Sequence, residues 1–366
     1  MSINPLANPK GVKLNCELCS KPALLFCTKC RVTYYCDTEH QNIDWIGIHE
    51  KICELLIPLK SPITSTCNSE EEREQLKKLK VKRQKDLVYL TRTAGQKLLF
   101  EGKYEYAIPA AMQSLKISIE IYGLNSIELV LSYLILGEAC IGLRRLTQAE
   151  EYLSQAKWTV TKTPDCTPDI LSKLHRNLGL LHATKQEYKE ALRNLSEDVF
   201  YASTFFGTHN IRTSGGYFHM ANVFYAQNKL EVAFSLYQQI TTIWFDHLSL
   251  LVAQRTRQPP PPVGIGPAQY EVERKDYDNL DEAEAAEALL VLNSILEMRS
   301  KQTSPSPLIM MELLMALSML YFVQENYYEA MEYSKDATTF SKKISNLEES
   351  KRKSLEDLYK AIETRL

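Results

Sequence analysis

The sequence lacks any uninterrupted run of about 18 apolar residues, so no membrane-spanning helix is predicted. It also lacks an excess of charge of one sign, because 43 Lys and Arg residues against 45 Asp and Glu residues leave a formal net charge of −2. Such a balance gives no overall field that favours nucleic acid or an acidic membrane. Residues 1–15 lack the apolar core of a signal peptide. We therefore expect a cytoplasmic protein that binds neither nucleic acid nor membranes.

Motifs of common catalytic folds are missing as well. The sequence has no Gly-rich phosphate loop and no dinucleotide-binding fingerprint. Five histidines fall within or between predicted repeat helices, where packing explains them better than catalysis. They are His175, His182, His209, His219 and His247. The prediction is a protein that is not an enzyme.

Cysteine is the one reactive residue type that is plentiful, with nine in the chain. Six of them fall between Cys16 and Cys53. The other three, Cys67, Cys140 and Cys166, are scattered over a hundred residues, which indicates a reducing compartment rather than a disulfide framework.

The stretch from Cys16 to Cys53 contains four pairs of metal-binding side chains. In two pairs a two-residue gap lets a tight turn present both thiolates to one metal. In the other two an i, i+4 spacing puts both side chains on one face of a helical turn. The pairs are Cys16 with Cys19, Cys27 with Cys30, Cys36 with His40, and His49 with Cys53. Eight ligands suit two structural Zn²⁺ ions. The four pairs can combine into two sites in three ways, and spacing alone does not choose.

The segments Tyr34-Tyr35-Cys36, Gln41 to Trp45 and His49-x3-Cys53 resemble a MYND-type zinc finger. MYND fingers are cross-braced, so the resemblance implies interleaved sites. The first site would comprise Cys16, Cys19, Cys36 and His40, and the second Cys27, Cys30, His49 and Cys53. Most MYND fingers carry Cys where this chain has His40, but three Cys and one His still make an ordinary zinc site.

Residues on both sides of the finger are predicted to have little tertiary structure of their own. Residues 1–15 form an N-terminal tail. Residues 54–85 combine a linker rich in Pro, Ser and Thr with a charged, solvated helix that begins near Glu70. We expect the finger and the remainder of the chain to fold independently.

The larger part of the chain is repetitive. Small residues recur at Gly95, Gly137, Gly179 and Ala221, a constant spacing of 42 positions. Each unit resembles a tetratricopeptide repeat, with eight or so extra residues in the manner of kinesin-light-chain repeats. The pattern predicts an all-α fold, an α-solenoid with four repeat units over residues 86–255.

After the fourth unit the register breaks. A Pro- and Gly-rich insertion is predicted over residues 256–280, since four consecutive prolines cannot be helical throughout. Two further repeat-like units are predicted over residues 281–345, the first with a degraded leading helix. Residues 346–366 read as a polar capping helix.

Two surfaces are candidates for partner binding. Phe218 and Tyr225 lie seven positions apart on a leading repeat helix, and we expect both to face an exposed concave groove that takes an extended peptide or a helix. Phe224 is expected at a packing position. If the finger docks proline-containing peptides, as the resemblance allows, Gln41 and Trp45 would carry the contacts.

One enzyme family deserves comparison, because certain lysine methyltransferases combine a MYND finger with helical repeats. Their catalytic SET domain surrounds the finger and needs an Asn-His-x-Cys segment, and this chain has neither the segment nor the room for that domain. We therefore predict a protein–protein adaptor.

The order of elements resembles axonemal proteins that join a MYND finger to tetratricopeptide repeats. That resemblance implies a place in the ciliary or sperm-flagellar axoneme, with dynein-arm assemblies and another repeat protein as partners. The alternative is a nuclear co-regulator whose finger docks proline-containing peptides.

Overall fold

The computed structural model describes residues 14–60, 70–257, 280–302 and 304–366. The chain divides into two compact units, residues 1–186 and residues 187–366. Helices dominate both units and pack in neighbouring pairs, and the finger stands at the N-terminus, so the predicted all-α class is confirmed. None of the described helices combines the length and apolar character needed to cross a membrane.

The first unit begins with a two-stranded antiparallel ribbon and continues with helices. Strands β1 (Leu25–Phe26) and β2 (Tyr34–Tyr35) pair so that Leu25 lies opposite Tyr35. The helices are α1 (Thr38–Asp44), α2 (Glu50–Lys60), α3 (Glu70–Phe100), α4 (Tyr104–Tyr122), α5 (Val130–Gly142), α6 (Leu146–Lys162) and α7 (Pro168–Thr184). A π-helical turn, Trp45–His49, joins α1 to α2, and a 3-10 turn, Ile127–Leu129, precedes α5.

Small residues bring the paired helices of this unit together. A Cβ placed on Gly137 of α5 would lie 2.9 Å from Leu153 Cδ2 of α6, closer than carbon atoms pack. Ala149 and Ala156 of α6 are fully buried on the facing side. At Gly137 the small residue of the 42-residue pattern therefore lies at a close approach between the two helices of one pair.

The turn inside each pair also repeats. Gly102, Arg144, Asn228 and Glu325 all have a positive φ between 60° and 71° directly after the first helix of a pair. In each case the N–H groups that follow bond back to the last turn, as Arg145 N does to Cys140 O at 2.9 Å. This left-handed residue reverses the chain within three residues, so the second helix returns along the first.

The finger is packed onto the first helix pair rather than tethered to it. Ile48, Ile52 and Leu56 share one apolar core with side chains of α3 and α4. Those side chains are Leu87, Val88, Ala94, Ala110 and Ile117. This shared core argues against the expectation that the finger folds independently of the repeats, because loss of the finger would expose apolar side chains of α3 and α4.

Two further contacts reinforce this junction. A Cβ on Gly47 would lie 2.5 Å from the carbonyl oxygen of Tyr106 in α4, so only glycine allows the approach. The carboxylate of Glu17 forms salt bridges with Lys60 Nζ at 2.5 Å and with Lys116 Nζ at 3.0 Å. Burial alone would raise the pKa of Glu17, but the two ammonium groups outweigh it and hold that pKa below its ordinary value.

The predicted boundaries around this junction need correction. Residues 54–60, expected in a linker, belong to α2, which continues through Pro58. The charged helix and the first repeat helix are one element, since α3 runs unbroken from Glu70 to Phe100. Residues 1–13, 61–69 and 258–279, which contain the tail, Cys67 and most of the predicted insertion, lie outside the described residues.

In the second unit one continuous apolar core joins α9 to α14. Its helices are α8 (Tyr188–Phe206), α9 (Ile211–Ala226), α10 (Leu230–Arg257), α11 (Glu282–Ser300), α12 (Pro307–Val323), α13 (Tyr327–Ser341) and α14 (Glu349–Glu363). Helix α12 is apolar on most of its circumference, with Glu312 and Ser318 as polar exceptions, and packs among α10, α11 and α13. A capping box starts α11, where Asp281 and Glu284 satisfy each other's backbone N–H groups.

Phe218 belongs to this core and not to an exposed groove. Its side chain is 6% exposed, and its ring lies 6.3 Å from that of Tyr237 in α10. The prediction of Phe218 as an exposed anchor is wrong, because the second helix of its own pair covers that face. Tyr225 is half-buried, with its ring 6.3 Å from Phe234, and Phe224 is likewise half-buried against the core.

We expect Gly47→Ala to lower the free energy of unfolding of the first unit by about 1–3 kcal/mol, the usual cost of overpacking a tight contact. The change leaves all eight metal-binding side chains in place, so two zinc ions per chain should remain. Chemical denaturation and elemental analysis measure both quantities. Ile46→Ala is the matched control, since Ile46 is 48% exposed next to the contact. Equal stability of Gly47→Ala and wild type would contradict the docked arrangement.

Candidate metal centre

The structure brings the eight predicted ligands into two clusters, and each cluster has the composition that cross-bracing implies. One contains Cys16, Cys19, Cys36 and His40, and the other contains Cys27, Cys30, His49 and Cys53. Within each cluster the four ligand atoms lie within 4.8 Å of one another. The prediction of two zinc sites is therefore confirmed at the level of the protein ligands.

The spacing of the donor atoms fits tetrahedral zinc. Zn–S bonds of about 2.3 Å separate the sulfurs of one ion by about 3.8 Å. In the first cluster Cys19 Sγ lies 3.5 Å from Cys36 Sγ, and Cys16 Sγ lies 3.6 Å from His40 Nδ1. In the second, Cys27 Sγ lies 3.8 Å from Cys53 Sγ, and Cys30 Sγ lies 3.5 Å from His49 Nε2. The two histidines thus offer different ring nitrogens, Nδ1 from His40 and Nε2 from His49.

Local backbone geometry presents each pair of ligands. After each Cys-x2-Cys the next residue, Ser20 or Arg31, has a positive φ near 60°. Its N–H bonds back to the carbonyl of the first cysteine, at 3.1 Å for Ser20 and 3.0 Å for Arg31. These tight turns point both thiols inward. The sequence spacing predicted them.

The two i, i+4 pairs are positioned in different ways. His49 closes the π-helical turn and Cys53 follows in α2, so one continuous helical segment holds both. Cys36 instead precedes α1, and His40 lies in its first turn. Asp37 caps this helix by accepting the N–H of His40 at 2.7 Å. The cap fixes His40 relative to Cys36, whose Sγ lies 2.9 Å from His40 Nδ1.

The turns also favour the thiolate form that zinc needs. Burial opposes ionisation of Cys16, but the backbone N–H groups of Cys19, Cys36 and Leu18 lower the pKa of Cys16 to about 7. Burial likewise opposes ionisation of Cys27, and the N–H groups of Cys30 and Lys29 hold the pKa of Cys27 below its ordinary value. Backbone amides therefore share the stabilisation of negative charge with the metal.

A buried carboxylate supports the second cluster. Asp44 Oδ2 lies 3.8 Å from His49 Nδ1, the ring nitrogen that does not face the cluster. The same oxygen accepts a 2.6 Å hydrogen bond from the hydroxyl of Tyr35, which is fully buried. A carboxylate behind a metal-binding imidazole fixes its tautomer and raises its basicity. Burial lowers the pKa of His49 to about 4, so the ring is neutral at pH 7 and its Nε2 can donate to zinc.

Sequence reasoning did not assign this supporting role to Asp44. A carboxylate five positions before a metal-binding histidine is one available signal. It becomes specific only when the π-helical turn brings the two side chains together. Thr33 is a second such residue, since its Oγ1 lies 3.3 Å from Cys30 Sγ and is buried.

Gln41 and Trp45, the candidate contacts for a docked peptide, are both half-buried. The ring of Trp45 packs against that of His49 at 5.7 Å between centroids. Lys29 Nζ lies 4.5 Å above the same indole. Trp45 therefore covers the second cluster with one face and reaches the surface beside a cation.

Both clusters supply four protein ligands, so a zinc ion in either has no open position for water or substrate. Such sites hold structure instead of activating a nucleophile. The eight described cysteines form no disulfide, in agreement with a metal framework. Cys140 is buried and Cys166 half-buried, both away from the clusters.

We expect Cys27→Ser to reduce bound zinc from two ions per chain to one. Because His49 and Cys53 hold the helical segment that packs on α3 and α4, the free energy of unfolding of the first unit should fall by about 4 kcal/mol or more. Backbone amides of α3 and α4 should also exchange faster with deuterium. Cys166→Ser is the matched control and should leave the zinc content, the free energy of unfolding and the amide exchange unchanged. Retention of two zinc ions, or unchanged exchange in α3 and α4, would contradict this account.

We expect Asp44→Asn to weaken zinc binding at the second cluster by about 10- to 100-fold while leaving the first unchanged. Competition with a chelator, followed by metal analysis, measures two release steps, of which only one should shift. Glu39→Gln, an exposed carboxylate changed to an amide on the same helix, should leave both steps as in wild type. If both steps shifted together, the assignment of Asp44 to the second cluster would fail.

Comparison with known proteins agrees with this geometry. Residues 16–53 match the family described as "MYND finger". Among solved structures, the crystal structure of BtubC (BKLC) from P. vanneervenii is similar to 67% of this chain and 93% of its own, with a TM-score of 0.33 and 12% sequence identity. A superposition that loose adds nothing to the description of the helical part. Residues 16–53 are therefore a MYND finger with two zinc sites.

Proposed function

We propose that this protein is a non-enzymatic adaptor, in which a MYND finger and helix pairs offer surfaces to protein partners. The observation that carries the proposal is the complete use of protein ligands at both clusters. Zinc held in this way supplies rigidity, and the finger uses it to fix a surface and to anchor the first helix pair. The match of residues 16–53 to the MYND finger family suggests that this part of the chain takes part in protein–protein interaction.

The finger surface supports this proposal most directly. The Trp45 ring packs against that of His49, and Lys29 Nζ lies over the indole. An indole held rigidly at the surface loses little entropy on binding and buries a large area, which is typical of interface anchors. Gln41 lies one helical turn before Trp45 and adds an amide for hydrogen bonding. Gln41 and Trp45 together suit a peptide whose backbone carbonyl groups accept hydrogen bonds from side-chain N–H groups.

On the helical part, Tyr225 remains a candidate contact for a partner, since its side chain is only half-buried. Phe218 is withdrawn from that role because it lies in the core. A contact surface on α9 would therefore include Tyr225 without Phe218, and it would be smaller than the sequence predicted.

We place the adaptor in the ciliary or sperm-flagellar axoneme, with dynein-arm assemblies and another repeat protein as partners. The support is the order of elements along the chain, a MYND finger followed by repeats of 42 residues. The second candidate is a nuclear co-regulator that docks proline-containing peptides. Trp45, which is half-buried one helical turn after Gln41 on the finger, would supply the main contact in that alternative.

Fractionation of ciliated cells that express the tagged protein tests the proposal. We expect the wild-type protein in the detergent-resistant axonemal fraction together with dynein-arm subunits. Gln41→Ala combined with Trp45→Ala should reduce that association by about tenfold, as expected when an interface anchor is truncated. Ile46→Ala is the control at a neighbouring exposed position, and zinc content is measured for each variant.

A chromatin-bound protein would favour the nuclear alternative instead. Transfer of labelled methyl groups from S-adenosylmethionine to any protein, above a Cys27→Ser control, would overturn the non-enzymatic proposal.

A further inference from the structure

A groove of about 680 Å³ lies between α13 and α14 in the second unit. That volume is in the range of sites that hold a ligand or a short peptide segment. Two basic side chains on each wall face it, Lys335 and Lys342 from α13 and its C-terminal end, and Arg352 and Lys360 from α14. Glu356 is the one acidic side chain in its lining.

The four cations outnumber the single acidic side chain of the lining. All four are exposed, and none of them has an ion-pair partner among the residues that the structure describes. Neighbouring cations behave differently. Lys351 pairs with Glu312 at 2.5 Å, and Lys343 Nζ lies 4.5 Å over the ring of Phe340. Four basic side chains against one acidic side chain leave an excess of positive charge in the groove, where clustered like charges raise the local potential.

The floor of the groove is apolar. Leu355 is 4% exposed, while Leu347 and Tyr359 are half-buried, and all three line it. The hydroxyls in its wall add few donors, because Thr338 and Thr339 each donate to a carbonyl one turn earlier in α13. A ligand would therefore be recognised by the four cations at the rim and by apolar contact at the floor.

The positions of the cations limit the length of that ligand. Lys335 and Lys342 are seven residues apart along a helix, and Arg352 and Lys360 are eight apart, so each pair spans about 11–12 Å at 1.5 Å per residue. An extended peptide covers this distance in three or four residues. Carboxylates three or four positions apart, with an apolar side chain between them, would match both the rim and the floor.

We propose that the groove between α13 and α14 binds an acidic linear peptide, with carboxylates paired to Lys335, Lys342, Arg352 and Lys360 and one apolar side chain on Leu355 and Tyr359. The apolar floor and the short span favour a peptide over a nucleic acid, which would need aromatic platforms for several bases. This partner surface is separate from the finger, and it holds whether or not the protein resides in the axoneme.

Fluorescence anisotropy with the full-length, zinc-loaded protein tests the proposal. The probe is a short fluorescein-labelled peptide with glutamates near both ends and a central leucine. We expect Lys342→Glu combined with Arg352→Glu to weaken its binding by about tenfold or more, because like charges then face the peptide. Lys335→Gln combined with Lys360→Gln should weaken binding less and keeps the test valid if the charge reversals disturb folding.

The matched control is Lys353→Glu combined with Lys77→Glu. It changes the net charge equally at exposed positions outside the groove lining. This variant should bind the probe as the wild type does. Binding should also weaken when the central leucine of the probe becomes serine and when salt is raised, since exposed charge pairs are screened.

Three results would overturn the proposal. One is equal binding by the groove and control variants. Another is a probe with serine that binds as tightly as the probe with leucine. The third is a single-stranded DNA of similar charge that displaces the probe as well as unlabelled peptide does, since the groove would then be a general site for polyanions.

Discussion

The burial of one helical face that also carries metal ligands is the interaction on which the first unit depends. A segment as short as residues 16–53 cannot build a sufficient apolar core, so metal coordination must supply its folding free energy. His49 and Cys53 bind on one side of the segment that runs from the π-helical turn into α2. Ile48, Ile52 and Leu56 project from the other side into α3 and α4. Zinc binding and repeat packing are thereby coupled through a single element.

This coupling explains several details that are otherwise unrelated. Gly47 permits the close approach of the turn to α4. Glu17, next to the first ligand, bridges Lys60 and Lys116 across the same junction. Asp44 and Tyr35 form a buried polar pair that orients His49 from behind. Each contact restrains the finger, and together they fix the position of the half-buried Trp45 relative to α3 and α4.

In the second unit the packing is organised around an apolar helix instead of metal ligands. Helix α12 supplies the centre of the core, and α14 closes its open side with Leu355, Leu358 and Ile362. The same helix carries Arg352 and Lys360 on its outer face. A capping helix can therefore seal a core and also form one wall of a groove.

Sequence alone determined the features that depend on local spacing. The eight ligands, the tight cysteine turns and the 42-residue recurrence of small residues follow from distances along the chain, since the geometry of a turn or a helix is local. Tertiary structure decided whatever depends on which surface another element covers. Leu55 to Lys60 became helix because α3 and α4 bury its face, Phe218 became core because Tyr237 covers it, and Asp44 gained its role when the chain folded it against His49. The burial of a side chain depends on neighbours that are distant in sequence, and the spacing of residues along the chain does not reveal which neighbours those are.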